Sequence, residues 1–400
     1  MSTPEAAATT ATLRTPSRRL IGVDAARGIA LIGMMAIHIV PMLAADGTVS
    51  AAYRIASGRS AALFAVLAGV GLALASGGTT PPRGRRLAAA AAGTLARAGV
   101  LLLVGLQLGG LRSGVAVILV FYALLFVVAV PFLALPARVL LPLGAAWAVL
   151  APVVSQAIRP FMPVQSFNSP APEALANPVD LLREVAVTGY YPVLTWTAYL
   201  LAGLGLGRLA LTSPRVSRTV LLGGALLAVT AWFASWWLLH PGGGLKELEA
   251  AGAAATPLAD RVLETAVTTS FYGTTPTSTW WWLAVVAPHS GSPFDLLHTI
   301  GTSCVVLGAM LLLARVAARV LVPLAAIGSM TFTLYTLHVV LLSTALPRTV
   351  PYTYLWHVLI AVAIAVPWRR WIGRGPLEAL AAFASRSAAG LVTDRPAIRR

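Results

Sequence analysis

Asp24, Arg27 and His38 stand in an otherwise apolar run, Gly22-Val23-Asp24-Ala25-Ala26-Arg27-Gly28-Ile29-Ala30-Leu31-Ile32-Gly33-Met34-Met35-Ala36-Ile37-His38. In a helix, residues three apart are neighbours, so Asp24 and Arg27 share a face near one end. His38 follows Arg27 by eleven residues, close to three turns. Both side chains then point the same way, about 16 Å apart along the axis. Histidine is the side chain best suited to taking and returning a proton near neutral pH. The plainer alternatives are an interfacial ion pair for Asp24 with Arg27 and a histidine bonded to a neighbouring helix.

A second set of chemical residues lies in Pro288-His289-Ser290-Gly291-Ser292-Pro293-Phe294-Asp295-Leu296-Leu297-His298. Ser292, Pro293 and Asp295 have the spacing of a helix start: an N-cap, a proline at the first position and a carboxylate at the third. Asp295 and His298 are then three apart on one face, at the level expected for His38, and Asp295 or another nearby carboxylate is expected to orient the His38 ring. Tyr335 and His338 repeat the three-residue spacing in Gly328-Ser329-Met330-Thr331-Phe332-Thr333-Leu334-Tyr335-Thr336-Leu337-His338. With Arg59, His289 and Ser290 they are expected to line a substrate cavity. Arg83, Arg85 and Arg86, joined by Arg97, form the densest internal basic cluster. Guanidinium groups bind phosphates bidentately, so this cluster is a candidate anion site. Anchoring at a membrane face accounts for it equally well.

The elements that must position these residues follow from composition. Of 400 residues, 58% are hydrophobic and 10% charged. Soluble domains carry about 25% charged residues. Such a chain cannot cover itself with a polar surface, and its solvent must be lipid, where a helix needs about 20 apolar residues to span. Apolar segments bounded by glycine, proline and charge predict an all-α, polytopic integral membrane protein with spans at 20–43, 57–77, 86–108, 113–135, 138–158, 190–211, 217–240, 294–315, 319–345 and 353–372. Kinks are expected near Pro131 and Pro152. Residues 1–17 read as a disordered tail, 18–378 as the transmembrane domain and 379–400 as a basic tail.

The net charge of +16 is almost all arginine, with Lys246 the only lysine. With both termini in the cytoplasm, most short inside loops receive arginine, as the positive-inside rule requires. Segments 159–189 and 241–293 then lie outside. The tryptophans Trp280-Trp281-Trp282 read as an interfacial anchor. No basic region interleaved with stacking aromatics exists, so nucleic acid is not an expected partner. The lone cysteine, Cys304, can form no intrachain disulfide. There is no Walker loop and no zinc-type His/Cys cluster, so no metal is expected.

The pattern Asp24-x-x-Arg27-x-Ile29-Ala30, with a histidine eleven residues after the arginine, resembles the first helix of the transmembrane acyltransferase superfamily. Acyltransferase family 3 has an Arg…His pair at that spacing. The opening Val23-Asp24-x-x-Arg27-Gly28-Ile29-Ala30-Leu31 is similar to that of the heparan-alpha-glucosaminide N-acetyltransferase branch. Ser57 to Gly71, Pro288 to Gly301 and Gly373-Arg374-Gly375-Pro376-Leu377-Glu378 resemble a bacterial subgroup of that branch. The resemblance implies transfer of an acyl group, acetyl above all, from cytosolic acyl-CoA to an acceptor at the outer face such as a cell-envelope glycan. It implies a multi-pass protein of the cell membrane whose partners are the lipid bilayer, acyl-CoA and that glycan; a homodimer is compatible with it. His38 would be the catalytic base or acyl carrier, with Arg27, Asp24, Asp295 and His298 in the catalytic group, and Arg83, Arg85, Arg86 and Arg97 would hold the donor's phosphates. The Arg-x-x-Arg motif of acyltransferase family 3 is not carried over to Arg83-Gly84-Arg85-Arg86. A transporter or lipid flippase is the competing class; many such proteins are built of internal repeats, and none is evident. A non-enzymatic scaffold is the third.

Overall fold

A computed structural model describes residues 20–163, 168–253 and 270–393. The expected tail 1–17, residues 254–269 of the expected outside segment 241–293 and the end of the basic tail, 394–400, lie outside the described residues. Those described form an all-α polytopic membrane protein. Six helical segments are long and apolar enough to cross a bilayer, or eight if each of two bent pairs counts as one span. In chain order the helices are α1 Ile21–Ile39, α2 Ala51–Ala56, α3 Arg59–Ala75, α4 Gly84–Gly110, α5 Leu119–Ala129, α6 Ala137–Ile158, α7 Pro178–Arg183, α8 Val193–Gly207, α9 Pro214–Leu239, α10 Gly244–Ala253, α11 Pro293–Val316, α12 Val322–Ser329, α13 Thr331–Ser343, α14 Thr353–Trp371 and α15 Pro376–Thr393.

Local chemistry sets the boundaries that matter. Helix α1 ends just before Pro41, which disfavours a helical residue ahead of it. Helix α11 begins as its sequence predicts: the Ser292 hydroxyl accepts from the Asp295 amide at 3.0 Å, with Pro293 in the first turn. Two expected spans are shorter than their apolar runs. The run 113–135 yields α5 and a 3-10 turn, Val130–Phe132, because Pro131 stops the helix. The run 190–211 yields fifteen residues, because Pro192 precedes its start. Pro152, by contrast, sits inside a continuous α6.

The run 319–345 is broken. Helices α12 and α13 meet at Met330 with a bend of 81°. A break inside a bundle leaves amide donors without carbonyl partners. Glu378 supplies the acceptors: its carboxylate takes the Phe332 and Thr333 amides at 2.7 and 3.2 Å and the Thr333 hydroxyl at 2.6 Å. Residues 376–393, read from sequence mainly as tail, form α15, which bends 50° from α14 and packs along α4. Arg85 donates to the carbonyls of Val392 and Thr393 at its far end.

Small residues let the helices approach closely. Helix α1 packs on α12 where Gly328 meets the Asp24 carbonyl and the Gly28 amide. Helix α3 packs on α8 through Gly69, Gly203 and Gly207. A Cβ at Gly328 would overlap the Asp24 backbone, whereas one at Gly99 meets nothing within 4 Å. Gly328→Ala should therefore destabilise the protein by about 1–3 kcal/mol, the usual cost of overpacking a close contact. Gly99→Ala should leave it unchanged or slightly more stable. Thermal unfolding in detergent compares the two directly.

Candidate functional site

The last turn of α1 brings His38 to the end of the bundle opposite Arg83. There it enters a chain of three imidazoles. His38 Nδ1 lies 3.1 Å from His338 Nε2, and His338 Nδ1 lies 2.9 Å from His357 Nδ1. His357 Nε2 closes the chain on the Leu346 carbonyl at 3.3 Å. The first two rings are nearly parallel, at 13°, and the third is turned by 78°. His338 and His357 are 1% and 2% exposed, while His38 is half-buried. The rings form a line rather than converging on a point, and among the described residues no cluster of three or more His, Cys, Asp or Glu is arranged to hold a metal ion.

Two further contacts fix this end of α1. Arg348, in the turn between α13 and α14, donates through Nε to the His38 carbonyl and through its two terminal nitrogens to Ser113 and Gly114 at 3.3 and 3.2 Å. The Tyr53 hydroxyl donates to the Ile37 carbonyl at 3.2 Å. Tyr335, one turn before His338, meets the His38 ring edge-on at 6.5 Å, and its hydroxyl accepts from the Ile118 amide at 3.3 Å. Tyr335 thus joins the histidine chain to the wall formed by α5.

At the other end of α1, Asp24 is 2% exposed and lies between Arg27 and Arg369, at 3.7 and 3.8 Å. Arg27 also donates to the Leu67 carbonyl at 3.3 Å, passing over Gly71, which has no side chain to block it. Arg27 and Arg97 line a cavity of about 190 Å³ that reaches Tyr122 and Tyr335. A larger pocket of about 1080 Å³, lined by Arg83, Arg85, Arg86, Arg386 and again Arg97, adjoins it. Arg97 lines both cavities, and the smaller one has Tyr335, whose ring meets His38 edge-on, in its wall.

The sequence groups Asp295 and His298 with His38; in the structure each of the two bonds other partners. Asp295 accepts from the Gly291 amide at 3.1 Å. His298 bonds the Ala228 carbonyl at 3.0 Å, so its other nitrogen accepts from Arg59 at 3.3 Å. Both nitrogens of His298 are thereby occupied, which leaves it no free base. The hydrogen-bond partner of the His38 ring is His338. Asp24 lies fourteen residues before His38 and pairs with arginines. Ser290 is buried, its hydroxyl accepting from the Ser292 amide at 3.4 Å. His357 was not singled out from sequence. Its only signal was its type: an imidazole inside Tyr354-Leu355-Trp356-His357-Val358-Leu359-Ile360.

Residues 19–240 match the sequence model of the family described as heparan-alpha-glucosaminide N-acetyltransferase, catalytic. The chain belongs to that family. No curated protein matches it. As a member of the heparan-alpha-glucosaminide N-acetyltransferase catalytic family it is a multi-pass membrane protein of acetyltransferase type, and family membership favours acyl transfer over transport. His38, Arg27 and the Arg83–Arg97 cluster lie within the matched segment; His338 and His357 lie beyond residue 240.

His289 stands near enough to His38 for charge on one to be felt at the other. It is buried among Tyr190 and Tyr191, with ring centroids at 4.7 and 5.9 Å, in the left-handed backbone region at φ 56°. Neither ring nitrogen bonds a described residue. Burial pushes its pKa down from 6.5 to about 4. Above pH 6.5 neither folded nor unfolded chain binds this proton. As pH falls from 6.5 towards 4 the unfolded chain binds it and the folded chain does not, so stability falls across that window. His289→Phe should flatten this slope. Thermal midpoints between pH 7 and pH 5 check it: equal slopes in the two proteins would contradict the assignment.

Proposed function

We propose that the protein transfers an acyl group, acetyl in the first instance, from cytosolic acyl-CoA to a hydroxyl or amine of an extracytoplasmic acceptor such as a cell-envelope glycan. The observation that carries this reading is a pair of cavities that share Arg97, one lined by exposed arginines and the other by Tyr335, whose ring meets His38 edge-on. In this reading both termini lie in the cytoplasm, in the cell membrane. Arg83, Arg86 and Arg386 meet the donor's phosphates at the mouth, where guanidinium groups bind phosphate bidentately. Ser385 and Arg386 on α15 close the pocket opposite Arg83, so the C-terminal helix is one wall of the donor site. Arg85 is committed to the end of α15 and acts by holding that wall. The pantetheine arm threads past Arg97 and Arg27, and the thioester comes to rest beside His38.

His38 acts as general base. It removes the proton from the acceptor hydroxyl or amine as that group attacks the thioester carbonyl. The new C–O or C–N bond forms, the C–S bond breaks, and the proton passes from His38 to the departing thiolate, which leaves as the free thiol. Tyr335 and Arg348 hold the ring and its helix end in place. The nucleotide stays at the arginine-rich end throughout, and only the acyl group reaches the other side.

Labelled acetyl-CoA offered to the purified protein with a soluble amino-sugar acceptor tests this. Label should enter the acceptor, and His38→Ala should lower kcat by at least about 10²-fold, the usual contribution of general base catalysis. Arg83→Gln with Arg86→Gln should weaken coenzyme A binding, and salt should matter less to what remains. Full turnover by the His38→Ala protein would overturn the mechanism.

A further inference from the structure

We propose that His338 and His357 are positioning residues that fix the tautomer of His38 and leave its Nε2 as the bare, proton-accepting nitrogen. The inference rests on the acyl-transfer reading for its kinetic consequence but on hydrogen-bond order alone for its structural content.

The order of the hydrogens is fixed from the far end of the chain. A carbonyl oxygen can only accept, so the His357 Nε2 that faces Leu346 O must carry the hydrogen. A neutral imidazole has one N–H, so His357 Nδ1 is then bare. It faces His338 Nδ1 at 2.9 Å, so His338 Nδ1 must be the donor and His338 Nε2 is bare in turn. That nitrogen faces His38 Nδ1 at 3.1 Å, so His38 Nδ1 carries its hydrogen. His38 Nε2 is what remains. It takes no hydrogen bond from a described residue, and His38 is the half-buried member of the three. With all three rings neutral, the reverse order would set a lone pair against the Leu346 carbonyl. Only one order is available.

In the better-known triad arrangement a buried carboxylate sets the tautomer of the base and stabilises the cation that forms. Among the described residues no carboxylate bonds any of these three rings. Neutral rings do the orienting, which avoids placing a second charge in the low-dielectric bundle. When His38 Nε2 takes the acceptor's proton, its Nδ1–H already points at a lone pair on His338. The positive charge is shared inward along bonds that are in place, and the proton returns from Nε2 to the thiolate. Arg348 is near enough to His38 and His338 for its charge to be felt at both, so sharing towards His357 relieves a like-charge contact.

Removing the acceptor at the end of the chain should undo the order. In His357→Leu, His338 Nδ1–H loses its partner, and the chain is free to reverse and protonate His38 Nε2. The expected result is a fall in kcat of about 10–100-fold, the range typical when an orienting partner is lost, with KM for donor and acceptor unchanged. His357→Asn places an acceptor oxygen near the Nδ1 position and should recover most of the rate. If the Leu variant fails to fold, the wild-type protein still decides the matter. In ¹⁵N-histidine-labelled protein at neutral pH, the His38 resonances, assigned against His38→Gln, should show a protonated Nδ1 and an unprotonated Nε2. A protonated Nε2, or unchanged kcat in folded His357→Leu, would overturn the proposal. If this tautomer is found in protein that transfers no acyl group, the functional reading fails while the positioning stands.

Discussion

A polar side chain inside a lipid-embedded bundle must find its partners within the protein, because water is absent and an unpaired group costs several kcal/mol. Helix α1 carries three such groups, Asp24, Arg27 and His38, and much of the surrounding architecture answers to them. Asp24 draws in Arg369 from α14 as well as Arg27. His38 draws in His338 from α13 and, through it, His357 from α14. The same demand explains Arg208, buried at the end of α8, whose guanidinium bonds Ala73 O, Gly78 O, Ser76 Oγ and Leu133 O at 2.6–3.0 Å. It also explains Glu378, without which the break between α12 and α13 would strand amide donors. Satisfying the polar groups of one helix thus ties the first forty residues to the last seventy.

That tie has a chemical consequence. Near one end of α1, Arg27 lines a narrow cavity that shares Arg97 with a larger cationic pocket, and at the other end His38 joins a chain of imidazoles. A substrate with a polyanionic head and a long, thin, reactive arm suits this shape better than a compact solute would. Acyl-CoA is such a molecule, and family membership points to the same donor class. The reading asks little of large conformational change: the arm spans the distance, and only a small group needs to emerge beside His38.

Much of this was legible in the sequence. The membrane class followed from a charged fraction too low for water, and Ser292-Pro293-x-Asp295 announced the start of α11 in its own letters. Arg27 and His38 stand out in the sequence because each is costly where it stands. What escaped were choices of partner, near or far in the chain, that spacing alone does not set. Asp295 and His298 share a helix face, yet Asp295 turns to the Gly291 amide and His298 to Ala228 and Arg59. Three-residue spacing says which residues are neighbours, not which prefer each other. The tryptophans read as an interfacial anchor divide: Trp280 is exposed, but Trp282 is buried against Leu239, Leu248 and Val285. The 81° break at Met330 depends on a carboxylate 48 residues further along the chain, and His357 acquires meaning only from Leu346 and His338.

The central claim is that the acyl group crosses the membrane along α1 while the donor stays on the arginine-rich side. Proteoliposomes with the protein inserted in one known orientation test it most directly. Labelled acetyl-CoA is supplied only on the side bearing Arg83, and a membrane-impermeant amino sugar only on the side bearing His38. The account predicts labelled sugar on the His38 side and free coenzyme A on the Arg83 side. Label that appears only when donor and acceptor share one side would contradict it.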